Sequence, residues 1–297
     1  MKNRTNLFGR RAQRPMHASM VIALGFVLII LAGAVLLTLP VSSRSGGATG
    51  FLDALFTATS ATCVTGLVTV GTATHWSGFG QAVILLLIQI GGLGFMTLAS
   101  VASFLTRRTI TLRERMVMSA GMNLSANAGI VRLTRRVLFG TLLFEAVGAV
   151  LLACRFVPQF GLARGVWMGV FHAVSAFCNA GFDLLGTPDS PFSSLTGYVG
   201  DPVVNLTIMA LIVIGGLGFF VWGDMWDKRR FRRLSLHTKL VLVTTVLLLA
   251  AGTGLTLLFE WNNPATLGAL PAGEKVLAAA FQSVTLRTAG FNTIDQA

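Results

Sequence analysis

The sequence predicts an all-α integral membrane fold of repeated helix–pore-loop–helix units around a central pore. Three observations predict it: long runs almost free of charge, an internal repeat, and basic residues gathered into three clusters. The 297-residue chain is 54% hydrophobic and 11% charged. Soluble domains carry about 25% charged residues, so this chain has too few to wet a whole surface. The apolar runs cover residues 20–39, 80–105, 137–153, 203–223 and 240–259. A helix of such length reaches across ~30 Å of hydrocarbon at about 1.5 Å per residue. Core helices of soluble proteins are rarely this long and rarely recur in this way.

The first run follows Lys2, Arg4, Arg10, Arg11 and Arg14. It exceeds the ~7–15-residue apolar region of a signal peptide, and no small-x-small cleavage site follows Pro40. It reads as a retained first helix. The net charge of +12 would suggest nucleic acid in a soluble protein. Here the basic residues lie at helix ends without interleaved aromatics, which excludes that reading. Five of the 23 precede the first run, seven lie between Arg107 and Arg136, and six between Lys228 and Lys239. The positive-inside rule makes these clusters cytoplasmic, with a cytoplasmic N-terminus in the inner membrane. Cys63, Cys154 and Cys178 are odd in number and lack disulfide or metal-ligand spacing.

The internal repeat sets the architecture. Ile90-Gly-Gly-Leu-Gly-Phe95 recurs as Ile214-Gly-Gly-Leu-Gly-Phe219, inside corresponding apolar runs. Three further segments align on a glycine: residues 56–67 on Gly66, 171–182 on Gly181, and 281–291, one residue shorter, on Gly290. Each opens with about ten helix-compatible residues, too few to cross a bilayer. A short helix before a small-residue, glycine-containing segment reads as a re-entrant pore loop, because irregular backbone at membrane depth must be buried in protein or reached by water. The expected organisation is a basic N-terminus (1–19), a first unit (20–105) and a basic cytoplasmic loop (106–136). A second unit (137–223) and a second basic loop (224–239) follow. The incomplete third unit (240–297) holds a first helix, a pore helix and a filter loop.

Such loops can replace the hydration shell of a cation with backbone carbonyls. Glycine reaches the backbone angles that turn successive carbonyls toward one ion. The C-terminal end of a pore helix adds the negative end of its macrodipole. Potassium suits such a site better than magnesium, which dehydrates reluctantly. No Ser/His/Asp set, paired carboxylates, metal-ligand cluster or phosphate-binding loop supports an enzyme, and no cofactor is expected in the chain.

Ser-Ala-Thr-Cys-Val-Thr-Gly-Leu (60–67), Ser-Ala-Phe-Cys-Asn-Ala-Gly-Phe (175–182) and Arg-Thr-Ala-Gly-Phe-Asn (287–292) resemble filter segments of the Trk/Ktr/HKT potassium-transporter superfamily. Residues 88–96 and 231–240 resemble it too, and the overall likeness is greatest to the bacterial Ktr-type membrane subunit. The resemblance implies four units around one pore, of which about two and a half are present here. It implies potassium uptake, with one filter glycine per unit, a homodimer, and a cytoplasmic nucleotide-binding regulatory ring. Sodium as a stimulator is implied as well. The second outer helix of unit three and all of unit four are absent, and Cys178 and Leu286 stand where the family suggests Asn and Pro. Three filter segments are not expected to close a four-sided pore alone. A truncated, non-conducting remnant or an assembly partner is therefore the alternative expectation.

The expected ion filter comprises Val64, Thr65 and Gly66, then Asn179, Ala180 and Gly181, then Thr288, Ala289 and Gly290. Matched positions after three pore-helix-like segments favour filter lining over ordinary turn glycines. Cys63 and Cys178, three before their glycines, either face the ion or pack behind the filter. Thr65 and Asn179 either bind the ion or brace the loop. Arg287 carries a permanent charge that would repel a cation, so a buried, paired, loop-bracing role is expected. Glu145 is a candidate partner or a water-cavity residue. Gly91, Gly92, Gly94 and their second-unit copies are expected to serve close helix packing. Asp183 is the acid best placed to attract cations at the mouth. The basic loops are expected to meet anionic lipid and to dock the regulatory partner.

Overall fold

The computed structural model describes residues 18–94 and 130–294. The N-terminal basic cluster, Phe95 of the first glycine motif and most of the 106–136 loop lie outside the described residues. The helices in chain order are α1 (Ala18–Thr38), α2 (Phe51–Thr62), α3 (Thr72–His75), α4 (Gly78–Leu93) and α5 (Ile130–Phe160). They continue with α6 (Leu162–Phe177), α7 (Pro202–Gly216), α8 (Phe219–Lys228), α9 (Leu236–Glu260) and α10 (Ala272–Thr285). There is no β-strand among the described residues beyond one isolated bridge, Ser43 with Trp76.

The helices fall into the units read from the repeat. Each unit opens with an outer helix packed on a shorter pore helix: α1 on α2, α5 on α6, α9 on α10. The second helix packs on its own pore helix and on that of the next unit. Thus α4 touches α2 and α6, and α7 touches α6 and α10. The part of α5 from Arg135 to Phe160 and the whole of α9 are long and apolar enough to cross a membrane. Only 6% of the α9 window is buried inside the protein, so this uniformly apolar helix suits hydrocarbon, not water. Local sequence explains the starts. Ser77 Oγ accepts from Gly80 N at 3.2 Å, and Ser235 Oγ from Thr238 N at 3.3 Å. Asp201, followed by Pro202 in the first turn, accepts from Val203 and Val204. Burial pushes the Asp201 carboxyl up, but the hydrogen bond from Arg155 and those helix amides outweigh it and hold the group below its usual range.

Two expectations are corrected. The run 137–153 belongs to a longer helix that is already formed at Ile130. The run 203–223 is not one continuous span: α7 stops at Gly216, and α8 leaves at 92° to it. Gly218 causes the break, with φ 88° and ψ 146°, a region nearly closed to residues that carry a Cβ. Gly94 ends α4 in the same way, with φ 75° and ψ 133°. A Cβ on either would meet nothing within 4 Å, so the last glycine of each motif shapes the backbone and does not serve packing. At 15 residues, α7 is about 22 Å long, short of a bilayer core.

Trp222 fills the break. Its Nε1 donates to Ile214 O at 3.0 Å, and its ring packs on Phe144, Phe177 and Phe219. Asp224 ties the end of α8 to the start of α9, accepting from Ser235 N at 2.8 Å and pairing with Lys228 at 2.6 Å. The Gly218→Ala substitution should cost about 1–3 kcal/mol of strain. We expect a lower thermal midpoint for the detergent-purified variant. Gly78→Ala, a first-turn change with open space around it, should leave the midpoint unchanged or raise it. Equal midpoints for the two variants would contradict the assigned role of Gly218.

Candidate ion-filter site

The three pore helices end next to one another, and each end repeats one backbone pattern. The residue two before each glycine has positive φ: Val64 at 56°, Asn179 at 58°, Thr288 at 62°. The glycines follow at 78°, 69° and 77° for Gly66, Gly181 and Gly290. A β-branched residue such as Val64 pays about 1–2 kcal/mol for that conformation. Its recurrence in three unlike sequences marks a constrained geometry.

Hydrogen bonds at the helix ends fix the pattern. Thr65 N donates to Ser60 O at 2.9 Å and Ala180 N to Ser175 O at 2.7 Å, the six-to-one closure of a helix ended by a left-handed residue. The third end is one residue shorter, and Ala289 N donates to Thr285 O at 2.9 Å. Hydroxyls brace the outgoing strands. Ser175 Oγ donates to Phe182 O at 2.8 Å and Thr285 Oγ1 to Phe291 O at 2.6 Å. Thr65 Oγ1 donates to Ser60 Oγ at 2.9 Å. His172 pins the second loop from beneath. Its Nδ1 lies 2.7 Å from Met168 O, and its Nε2 accepts from Leu184 N at 3.3 Å. Asp183, read as a mouth residue, accepts from Leu185 N at 3.0 Å and so shapes the turn after the filter.

The loops touch. A Cβ on Gly66 would lie 2.7 Å from Ala180 O, and one on Gly181 would lie 2.8 Å from Ala289 O. The carbonyl before one glycine therefore faces the glycine of the preceding unit. The carbonyl oxygens of residues 64–66, 179–181 and 288–290 accept no hydrogen bond from the described residues. Free carbonyls gathered at three helix C-termini form a partially negative, cation-seeking surface.

The structure separates several alternatives left open above. The Asn179 amide, oriented with its nitrogen inward, donates to Ile212 O and Ala176 O at 3.2 Å each, so the side chain braces the loop. Thr65 braces its own helix end. The Cys178 side chain packs against Gly92, while Cys63 is exposed. Glu145 does not partner Arg287: it accepts from Gln89 Nε2, at 3.0 and 3.3 Å. Arg287 is half-buried, with Nη1 buried, and has no carboxylate partner among the described residues, contrary to the paired reading.

Sequence reasoning missed the division of labour inside each Gly-Gly pair. A Cβ on Gly91 would collide with Thr62 O, and one on Gly215 with Phe177 O, each four residues before its own unit's filter glycine. A Cβ on Gly92 would collide with Cys178, and one on Gly216 would lie 3.5 Å from Arg287 Nη2, each three residues before the next unit's glycine. The first glycine of each pair thus seats its own loop; Gly92 seats its neighbour's, while Gly216 stands between the two, its Cβ position 3.3 Å from Asn179 Nδ2 of its own loop. The repeat of Gly-Gly was visible in the sequence, and only its partners were not.

The second loop is enclosed on both sides, with Ala180, Gly181 and Phe182 buried. The first and third are open on their far sides, where Leu67 is 62% and Leu286 70% exposed.

The TrkH cation transport protein model matches residues 9–297. The potassium/sodium uptake protein NtpJ of Enterococcus hirae is 44% identical over 286 residues, covering 96% of this chain and 62% of that protein. The Ktr system potassium uptake protein B of Bacillus subtilis is 46% identical over 275 residues, covering 93% and 60%. The potassium transporter TrkH of Vibrio parahaemolyticus shares the fold, with a TM-score of 0.62 at 17% identity over 96% of this chain and 54% of that one. This chain spans about three fifths of the length of the curated relatives it matches. A repeated pore-loop architecture and a family match over nearly every residue agree, and the chain belongs to the TrkH family of cation transport proteins.

Proposed function

We propose that this chain supplies three of the four loops of a potassium filter in an uptake system of the cytoplasmic membrane, with its N-terminus cytoplasmic. One observation carries the reading: three loops with the same backbone pattern lie one against the next at the ends of the pore helices, and their carbonyls are free of hydrogen bonds from the described residues. Residues 64–66, 179–181 and 288–290 would line the ion path through their carbonyls. A bare backbone filter needs no cofactor and no titrating group, and it removes water from potassium at lower cost than from smaller, more strongly hydrated ions. Two curated relatives are named for potassium uptake, and one of them also for sodium. The open sides of loops one and three would receive a fourth loop. Gly181 and Gly290 are in direct contact here, and a conducting filter requires that fourth loop to hold them apart. A homodimer, a nucleotide-binding regulatory ring on the basic face and stimulation by sodium complete the proposed system.

Four outcomes test this. In the complete transporter, Gly181→Ser should abolish or strongly reduce potassium-dependent growth and rubidium uptake in cells lacking other potassium systems, at unchanged membrane abundance. Wild-type uptake by that variant would sink the filter assignment. Gly216→Val should do comparable damage from α7, because its added methyl groups press on the Asn179 amide of its own loop and on Arg287 of the next. Gly254→Val on α9, where a Cβ meets open space, should leave uptake intact. Ser175→Ala should leave Phe182 O buried and unpaired, at a cost of about 1–3 kcal/mol. That loss should appear as a lower thermal midpoint and a reduced potassium-to-sodium uptake ratio, and Ser175→Thr should restore part of both.

A further inference from the structure

A large groove opens at the basic end of the bundle, between the start of α5 and the break that leads into α8. Its volume is about 1020 Å³. The floor is apolar, formed by Leu143, Phe144, Ile214, Leu217 and Trp222. The rim carries Arg135, Arg136 and Arg229. We propose that this groove holds one anionic phospholipid, its acyl chains on the apolar floor and its phosphate among the arginines.

Charge complementarity supports an anionic occupant. Arg136 pairs with Asp227 at 2.9 Å, in an exposed bridge. Arg135 lies over the Phe139 ring at 5.7 Å, which leaves its guanidinium edge available. Arg229 caps α8 in a left-handed conformation and has no carboxylate partner among the described residues. Three guanidinium groups against one carboxylate leave a positive rim with the planar donor geometry that phosphate oxygens take. The other acid of α8, Asp224, is occupied by Lys228 and Ser235 N.

The lining of the groove favours lipid over an extended peptide. Its mouth runs along the exposed apolar flank of α5, where Phe139 is 63% exposed, and that flank faces hydrocarbon in a membrane. The floor offers almost no hydrogen-bonding group, since Trp222 Nε1 is already committed to Ile214 O. A looped or extended peptide laid there would leave its amides unpaired, whereas acyl chains need no partner. The helix α8 turns 92° away from α7 and carries exposed Trp226 beside charged residues, the composition of a segment lying at a membrane interface. A headgroup at the rim would sit at that level, with the chains reaching Trp222. The inference rests on the membrane setting of the fold and is independent of the potassium reading.

The test uses the complete protein, purified in detergent and stripped of lipid, and brominated phospholipids that quench nearby tryptophan. Brominated phosphatidylglycerol should quench saturably, with the quenched signal lost in a Trp222→Phe/Trp226→Phe variant. The double variant Arg135→Gln/Arg229→Gln, changed only at exposed side chains, should need about ten-fold more lipid for half-maximal quenching. Brominated phosphatidylcholine should quench weakly and equally in both proteins. Thermal protection by phosphatidylglycerol should follow the same order. Equal quenching by the two lipids would overturn the proposal, as would an unshifted titration in the arginine variant. Protection by inorganic phosphate alone equal to that by phosphatidylglycerol would assign the rim to a free anion instead. A groove that binds no lipid but is shielded by a co-purifying protein would assign it to a partner.

Discussion

The contact on which the architecture depends is the approach of a glycine pair to the ends of two pore helices. Gly215 lies so close to the Phe177 carbonyl that a single methyl group would drive them apart, and Gly91 stands in the same relation to Thr62. These contacts sit four residues before the filter glycines, where a small displacement of a helix end becomes a displacement of every carbonyl beyond it. The neighbouring Gly92 seats the loop of the next unit by the same steric rule, and Gly216 lies between Asn179 of its own loop and Arg287 of the next. Van der Waals contact between backbones is available in hydrocarbon, where burial of apolar surface drives nothing. The bundle is thus assembled by fit, and the fit is tightest behind the three loops.

That rigidity has a task because the loops violate the usual rule for membrane interiors. Backbone groups at membrane depth bond within a helix or are otherwise satisfied. Here the amides of Thr65, Ala180 and Ala289 are satisfied, through the helix-end closures. The carbonyls of residues 64–66, 179–181 and 288–290 are not. The free carbonyls lie at the C-terminal ends of three helices, where the negative ends of the helix dipoles add to their own. Positive φ at Val64, Asn179 and Thr288 turns the chain, and the hydroxyls of Ser175 and Thr285 hold the outgoing residues so that the strained turn does not relax.

Much of this could be read from the sequence, and the boundary is physical. Hydropathy and the Gly-Gly-Leu-Gly repeat displayed the units because membrane spans and repeats are one-dimensional properties. The filter glycines aligned because each must take positive φ. What stayed hidden was whatever depended on a partner distant in sequence. Gly91 and Gly92 look equivalent in the chain and differ only in which unit they face. Asn179 and Thr65 could equally bind an ion or a carbonyl until Ile212 O and Ser60 Oγ were found beside them. The break after Gly216 escaped because residues 203–223 are uniformly apolar, and hydropathy is blind to the φ of one glycine.

The break also bears on Arg287, which has no carboxylate partner among the described residues. A guanidinium remains charged at any pH a protein survives, so Arg287 cannot shed its charge when buried. Glu145, the acid within the neighbouring span, is committed to Gln89. What the described residues offer instead is the C-terminal end of α7, with Arg287 Nη2 beside Gly216. A helix C-terminus carries roughly half a negative charge in its unbonded carbonyls, confined to its last turn. Had 203–223 formed one straight helix, those carbonyls would be consumed in the ladder and no such end would exist at this depth. Ending α7 at Gly216 places the negative end of its dipole near Arg287 Nη2, and Gly218 creates the ending. The same backbone irregularity that bends α8 away therefore eases a permanently charged side chain behind the third loop.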